Sequence, residues 1–155
     1  MKGKACIVEV FYKKGVFDAA AVSARHGMAE LGISGAASVV ISQLYRIESS
    51  LTAAEIRSLA KNALTDPVVQ DFKVYAKDTA KHQGYAVSVW YKSGVTDATG
   101  DSVLIACKDM GIKGIDTVST GAKYVIKGKL KPADIKRICE RMLANTVIQT
   151  YEIKK

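Results

Sequence analysis

The chain opens on a run of β-branched and aromatic residues, Cys6-Ile7-Val8-Glu9-Val10-Phe11-Tyr12, and a run of the same character returns at Tyr85-Ala86-Val87-Ser88-Val89-Trp90-Tyr91. Both predict strands. After each comes a Gly-Val-x-Asp turn and then helical spacing: Leu104, Ala106, Cys107 and Met110, and their counterparts up to Leu31, recur on one face, with Gly32 and Gly111 as stops. Residues 37–41 and 44–48, like 115–119 and 123–127, read as pairs of short strands. A second helix is predicted from Thr52-Ala53-Ala54-Glu55, where the hydroxyl and the carboxylate can satisfy free helix-start amides, and its twin starts at Pro132. Ile56, Leu59, Ala60, Ala63 and Leu64 form one apolar stripe, and Ile135, Ile138, Cys139, Met142 and Leu143 form the other. Asp66-Pro67 and Asn145-Thr146 end these helices, and Val68–Val74 and Val147–Ile153 read as closing strands.

The elements recur because the sequence does. Val10-Phe11-Tyr12-Lys13-Lys14-Gly15-Val16-Phe17-Asp18-Ala19 returns as Val89-Trp90-Tyr91-Lys92-Ser93-Gly94-Val95-Thr96-Asp97-Ala98, an offset of 79 residues that holds without a gap to the end of the chain. About 21 of 70 aligned positions are identical between 7–76 and 86–155. The expected organisation is a repeat at 1–76, a polar connector at 77–84 and a second repeat at 85–155. Each repeat runs β-α-β-β-α-β, which predicts an α+β fold of ferredoxin-like type, with the two copies forming a pseudo-dimer within one chain.

Composition narrows the function classes. The chain has 155 residues, 48% hydrophobic and 25% charged, with 12 Gly and 2 Pro, which excludes a disordered or collagenous protein. No apolar run approaches a bilayer span, so a cytoplasmic location without a membrane partner is expected. Cys6, Cys107 and Cys139 are far apart in apolar surroundings and read as small buried hydrophobes. His26 and His82 have neither metal-ligand spacing nor the company of a nucleophile, and they are not repeat-equivalent, so no metal site or catalytic set is expected. Asp18 and Asp97 each follow a turn at a helix start, where a carboxylate caps backbone amides. Gly121-Ala122-Lys123 with Gly128-Lys129 is too loose for a phosphate loop and reads as a turn with solvated lysines. The formal charge of +8 raises nucleic acid and acidic proteins as partners. The lysines are scattered, and the third strands carry one aromatic each, Tyr45 and Tyr124, so nucleic acid is set aside. The element order also fits a tandem small-molecule-binding regulatory module of the ACT type, and that alternative stays open at this stage.

At Lys13-Lys14-Gly15-Val16-Phe17-Asp18 and at Leu64-Thr65-Asp66-Pro67-Val68-Val69-Gln70-Asp71-Phe72 the sequence resembles the PurS family, the small subunit of phosphoribosylformylglycinamidine synthase of de novo purine synthesis. In the second repeat Thr120-Gly121-Ala122-Lys123-Tyr124 looks like the Gly-Lys element of that family, and Leu143-Ala144-Asn145-Thr146-Val147-Ile148-Gln149-Thr150-Tyr151 like its closing segment. The tandem arrangement is similar to the PurS-like region of fused large-subunit forms. Ala19 and Ala98 stand where the family usually has Pro, as does Thr146, and Ser42 and Leu44 replace the Gly-Lys pair in the first repeat. The resemblance implies a non-catalytic subunit that bridges a glutaminase subunit and an ATP-dependent synthetase subunit and helps ammonia pass between them. It implies no cofactor in this chain; ATP, Mg and glutamine would be used by the partners. It also implies partner contacts at Lys13, Gly15, Asp18, Asp66 and Gln70, at Lys92, Gly94 and Asp97, and at Gly121, Lys123, Asn145 and Gln149. Pseudo-dimers are expected to be able to pair further.

Overall fold

A computed structural model describes residues 3–155. Strand β1 (Lys4–Tyr12) leads to helix α1 (Ala19–Glu30), strand β2 (Ala36–Ser49), helix α2 (Ala53–Leu59) and strand β3 (Gln70–Tyr75). The second repeat gives β4 (Tyr85–Tyr91), α3 (Ala98–Asp109), β5 (Ile115–Gly128), α4 (Pro132–Ile138) and β6 (Gln149–Lys154). Both α2 and α4 continue into a wider π-type turn, at Ala60–Leu64 and Cys139–Leu143. The strands form one antiparallel sheet in the order β3-β1-β2-β5-β4-β6. In the register of its outer strands, Val8 pairs with both Tyr45 and Val74, and Val87 pairs with Ile153.

Local chemistry accounts for the helix ends. Asp18 Oδ1 accepts the amide of Ala21, and Asp97 Oδ1 that of Gly100. Thr52 Oγ1 accepts the amide of Glu55, and Asp134 Oδ2 accepts the amide of Lys131 just ahead of Pro132. Gly32 and Gly111 take φ of +81° and +80°, the left-handed stop that ends α1 and α3.

The middle and closing strands differ from the predicted elements. The pairs of short strands at 37–41 and 44–48, and at 115–119 and 123–127, are each one continuous strand, β2 and β5. No Pro, Asn or Gly interrupts Ile41-Ser42-Gln43-Leu44, so nothing forces a turn there. The closing strands begin two residues later than predicted, at Gln70 and Gln149, because residues 67–69 and 146–148 form the turn itself.

The chain divides into two compact units that are not drawn along the repeat boundaries. The first contains the segment ending at Val16, then Gln43–Thr79 and Thr96–Gly121: β1, the second half of β2, α2, β3, α3 and the first half of β5. Its core is Val8, Val10, Ile47, Ile56, Leu59, Ala60, Cys107 and Val118, so α3 of the second repeat packs on the opening strand of the first. The second unit contains Phe17–Ser42, Ala80–Val95 and Ala122–Lys155. Met28, Ile33 and Val39 from the first repeat complete its core with Tyr85, Val87, Ile126, Ile135 and Ile138. Each unit is thus a ferredoxin-like set of four strand segments and two helices whose first helix comes from the other repeat. The continuity of β2 and β5 makes this possible, since each long strand passes from one unit into the next.

Candidate functional site

The corner after α2 is closed by its own side chains. Asp66 Oδ1 accepts the amide of Val68, and Gln70 Oε1 accepts the amide of Asp66. The second repeat repeats this with Asn145 Oδ1 to the amide of Val147 and Gln149 Oε1 to the amide of Asn145. These four residues therefore hold the turn geometry, and what the turn displays is Val68 and Val147, 80% and 79% exposed. The sequence points to the corners at 66–71 and 145–150 but does not single out either valine, because β-branched residues read as strand. The exposed counterpart pair Asp66 and Asn145 in a self-closed turn was the signal available.

Strand β1 delivers Lys13 to the same place: its amide donates to Val69 O at 2.9 Å and its ammonium to Pro67 O at 2.6 Å. In the second unit the amide of Lys92 donates to Ile148 O at 2.8 Å. The structure thus brings Lys13, Asp66 and Gln70 together, and likewise Lys92, Asn145 and Gln149. Gly15 and Gly94 sit in the adjoining turns with φ of +88° and +83°, where a side chain would be strained.

Asp18 and Asp97 are helix caps, and Asp97 does more. It accepts the amide of Thr120 at 2.6 Å and the Thr120 hydroxyl at 2.8 Å, which joins the start of α3 to β5. The segment Gly121–Lys123, predicted as a loop, lies inside β5; Gly121 O accepts from Gln43 Nε2, and Lys123 is 3% exposed. A lysine so enclosed is part of the fold's interior rather than a solvated surface charge.

Titratable groups are shifted chiefly by burial. Burial raises the Tyr45 and Tyr124 phenols, which occupy equivalent positions in the two repeats, and the thiols of Cys6 and Cys107. Tyr75 is raised far above the usual phenol range by burial and by its hydrogen bond to Glu9 Oε1 at 2.8 Å. Cys139 is pushed up to about 11 by burial and by the neighbouring Glu140 carboxylate. None of these shifts lowers a nucleophile toward neutrality. Among the described residues no group of three His, Cys, Asp or Glu could hold a metal ion, and no helix is long and apolar enough to cross a membrane.

One pocket of about 500 Å³ lies in the first unit, between α2 and the residues that follow α3. Leu51, Leu59 and Ile112 form its apolar wall, and Glu55, Ser58 and Asn62 its polar one.

The fold and the site define a duplicated α+β protein with ferredoxin-like units, in which most of the predicted site residues are caps and turn closures. Comparison with known proteins makes this specific. A family model described as PurS, phosphoribosylformylglycinamidine (FGAM) synthase, matches residues 5–78 and again residues 85–155. The phosphoribosylformylglycinamidine synthase subunit PurS of Archaeoglobus fulgidus is 35% identical over 72 residues, covering 43% of this chain and 90% of that protein. The chain belongs to the PurS family, with two family units in tandem.

Proposed function

We propose that the chain serves as the PurS-type subunit of a phosphoribosylformylglycinamidine synthase in the cytoplasm, one tandem chain standing where two single-repeat subunits would. The observation that carries this reading is that both halves match the same family model, in register with the 79-residue repeat.

The subunit's role in this reading is to bridge a glutaminase subunit and an ATP-dependent synthetase subunit, so that ammonia released at one site reaches the other without escaping to bulk water. Glutamine, ATP and Mg are used by those partners, and this chain supplies surfaces. The two corners are the best-suited contacts. Rigid, self-bonded turns present Val68 and Val147 outward at little conformational cost, with Lys13, Gly15, Lys92 and Gly94 beside them. Asp66, Gln70, Asn145 and Gln149 act in this scheme by holding the corners. Asp18, Asp97, Gly121 and Lys123 act by holding helices and strands.

Reconstitution tests the proposal. Glutamine-dependent synthase activity of the two larger subunits is expected to require this chain, and co-purification from the native source is expected to bring a glutaminase and a synthetase with it. Activity that is the same with and without the chain would overturn the assignment.

A further inference from the structure

We propose that the pocket between α2 and the end of α3 is a receptor for an arginine side chain presented by a partner protein. This goes beyond the family reading, since it does not depend on which complex the chain joins. It rests on a difference between the two repeats at positions 79 residues apart.

In the second unit Arg137 on α4 lies against the end of α1, and its guanidinium donates to Leu31 O at 2.9 Å. In the first unit the residue equivalent to Arg137 is Ser58, and the one equivalent to Leu31 is Met110. Serine is too short to span that gap. The Ser58 hydroxyl instead accepts from Asn62 Nδ2 at 3.2 Å, and the space where the arginine would lie is the pocket, with Met110 and Gly111 on its far side.

The lining suits a guanidinium. Met110 and Gly111 follow the last turn of α3: the carbonyls of Ala106, Cys107 and Lys108 accept the amides of Met110, Ile112 and Gly111, and the Met110 carbonyl is the equivalent of the Leu31 carbonyl that meets Arg137, at the negative end of the helix. Glu55 contributes a carboxylate, and the side chains of Ser58 and Asn62 contribute acceptor oxygens. Leu51, Leu59 and Ile112 offer apolar surface to the methylene stem. A planar guanidinium carries five donors in a fixed fork and is more weakly hydrated than an ammonium, so this wall favours arginine over lysine. The source is a protein: the occupied counterpart is filled by a side chain projecting from a helix, whereas free arginine brings an α-carboxylate toward Glu55. Lys113, on the rim, is the one lining cation that opposes binding, and its counterpart is Ser34.

Titration of the full chain with N-acetyl-arginine-N-methylamide, followed through the Asn62 side-chain amide by NMR, tests the proposal. A saturable shift is expected for this amide, weaker for free arginine and absent for the lysine amide. Ser58→Arg, which fills the pocket from within, should abolish the shift, and Lys113→Ser should strengthen it. Glu55→Gln, at an exposed position and therefore safe for folding, should weaken binding about tenfold, the value of one charge-assisted bond. No saturable shift, an equal response to the lysine amide, or full binding by Glu55→Gln would overturn it. None of these readouts involves synthase activity, so failure here leaves the subunit assignment standing or falling on its own test.

Discussion

The Asp97 carboxylate accepts both the amide and the hydroxyl of Thr120, while its repeat-equivalent, Asp18, caps its own helix, and the position equivalent to Thr120 is Ile41, which has no hydroxyl to offer. One duplicated residue has thus acquired two duties in one copy and kept a single duty in the other.

The asymmetry predicts unequal costs. Asp18→Ala should lose a cap, about 1 kcal/mol. Asp97→Ala should lose the cap and also strand the buried Thr120 amide and hydroxyl, adding about 1–3 kcal/mol. Urea denaturation of the two variants checks this; equal midpoints would contradict the network.

The exchange of first helices predicts that neither repeat folds alone as a monomer. A fragment ending at Thr79 contains β1 and α2 but lacks Cys107 and Val118 of that core, and it carries Met28 and Ile33 without Val87 of β4 and Ile126 of β5, which share their core. Such a fragment should pair with itself or aggregate, and mixing it with the complementary half should restore the circular dichroism of the full chain. A stable, monomeric first repeat by sedimentation would rule the exchange out.

Stability should fall in alkali. Cys139 has its folded pKa raised to about 11 from 9.0, so the unfolded chain ionises first. Its contribution is fully present below pH 9 and is lost as pH rises toward 11, about 2–3 kcal/mol in all. Tyr75 is raised too, and it deepens the loss above pH 10. A Cys139→Ala variant should show a flatter stability profile between pH 9 and 11 than the parent. By the same burial, Cys6, which is half-buried, should react with thiol reagents before Cys107 and Cys139.

At the corners, structure and display should separate. Gln70→Ala and Gln149→Ala each remove an acceptor from a turn amide and should cost about 0.5–1.5 kcal/mol of stability. Val68→Asp with Val147→Asp alters side chains that are nearly free of contacts, so stability should stay within about 0.5 kcal/mol while synthase activity in the reconstituted complex falls. Full activity of the double variant would remove the corners from the docking surface.

Much of the fold is legible in the sequence because the relevant signals are local. The caps at Asp18, Asp97 and Thr52, the stops at Gly32 and Gly111, and the apolar stripes of α2 and α4 are all set by residues within a turn or two of each other. The exchange of α1 and α3 is not legible in this way. Periodicity tells which face of a helix is buried, and Met28 and Cys107 fit either copy's sheet equally well by pattern. The continuity of β2 was obscured by the polar pair Ser42-Gln43, which looks like a turn although Ser42 is buried mid-strand. Lys123 reads as a solvated charge in the sequence because lysines are mostly exposed, and burial of a charged group depends on distant partners. The side chains of Asp66, Gln70, Asn145 and Gln149 face inward on the turn's own amides, a detail of hydrogen-bond direction that spacing does not encode.

The most direct test of the central claim is the glutamine-dependent synthesis of phosphoribosylformylglycinamidine by purified glutaminase and synthetase subunits from the same source, measured with and without this chain. Activity that rises steeply on addition and saturates at one tandem chain per site occupied by two single-repeat subunits is the predicted result. Activity indifferent to the chain would contradict it.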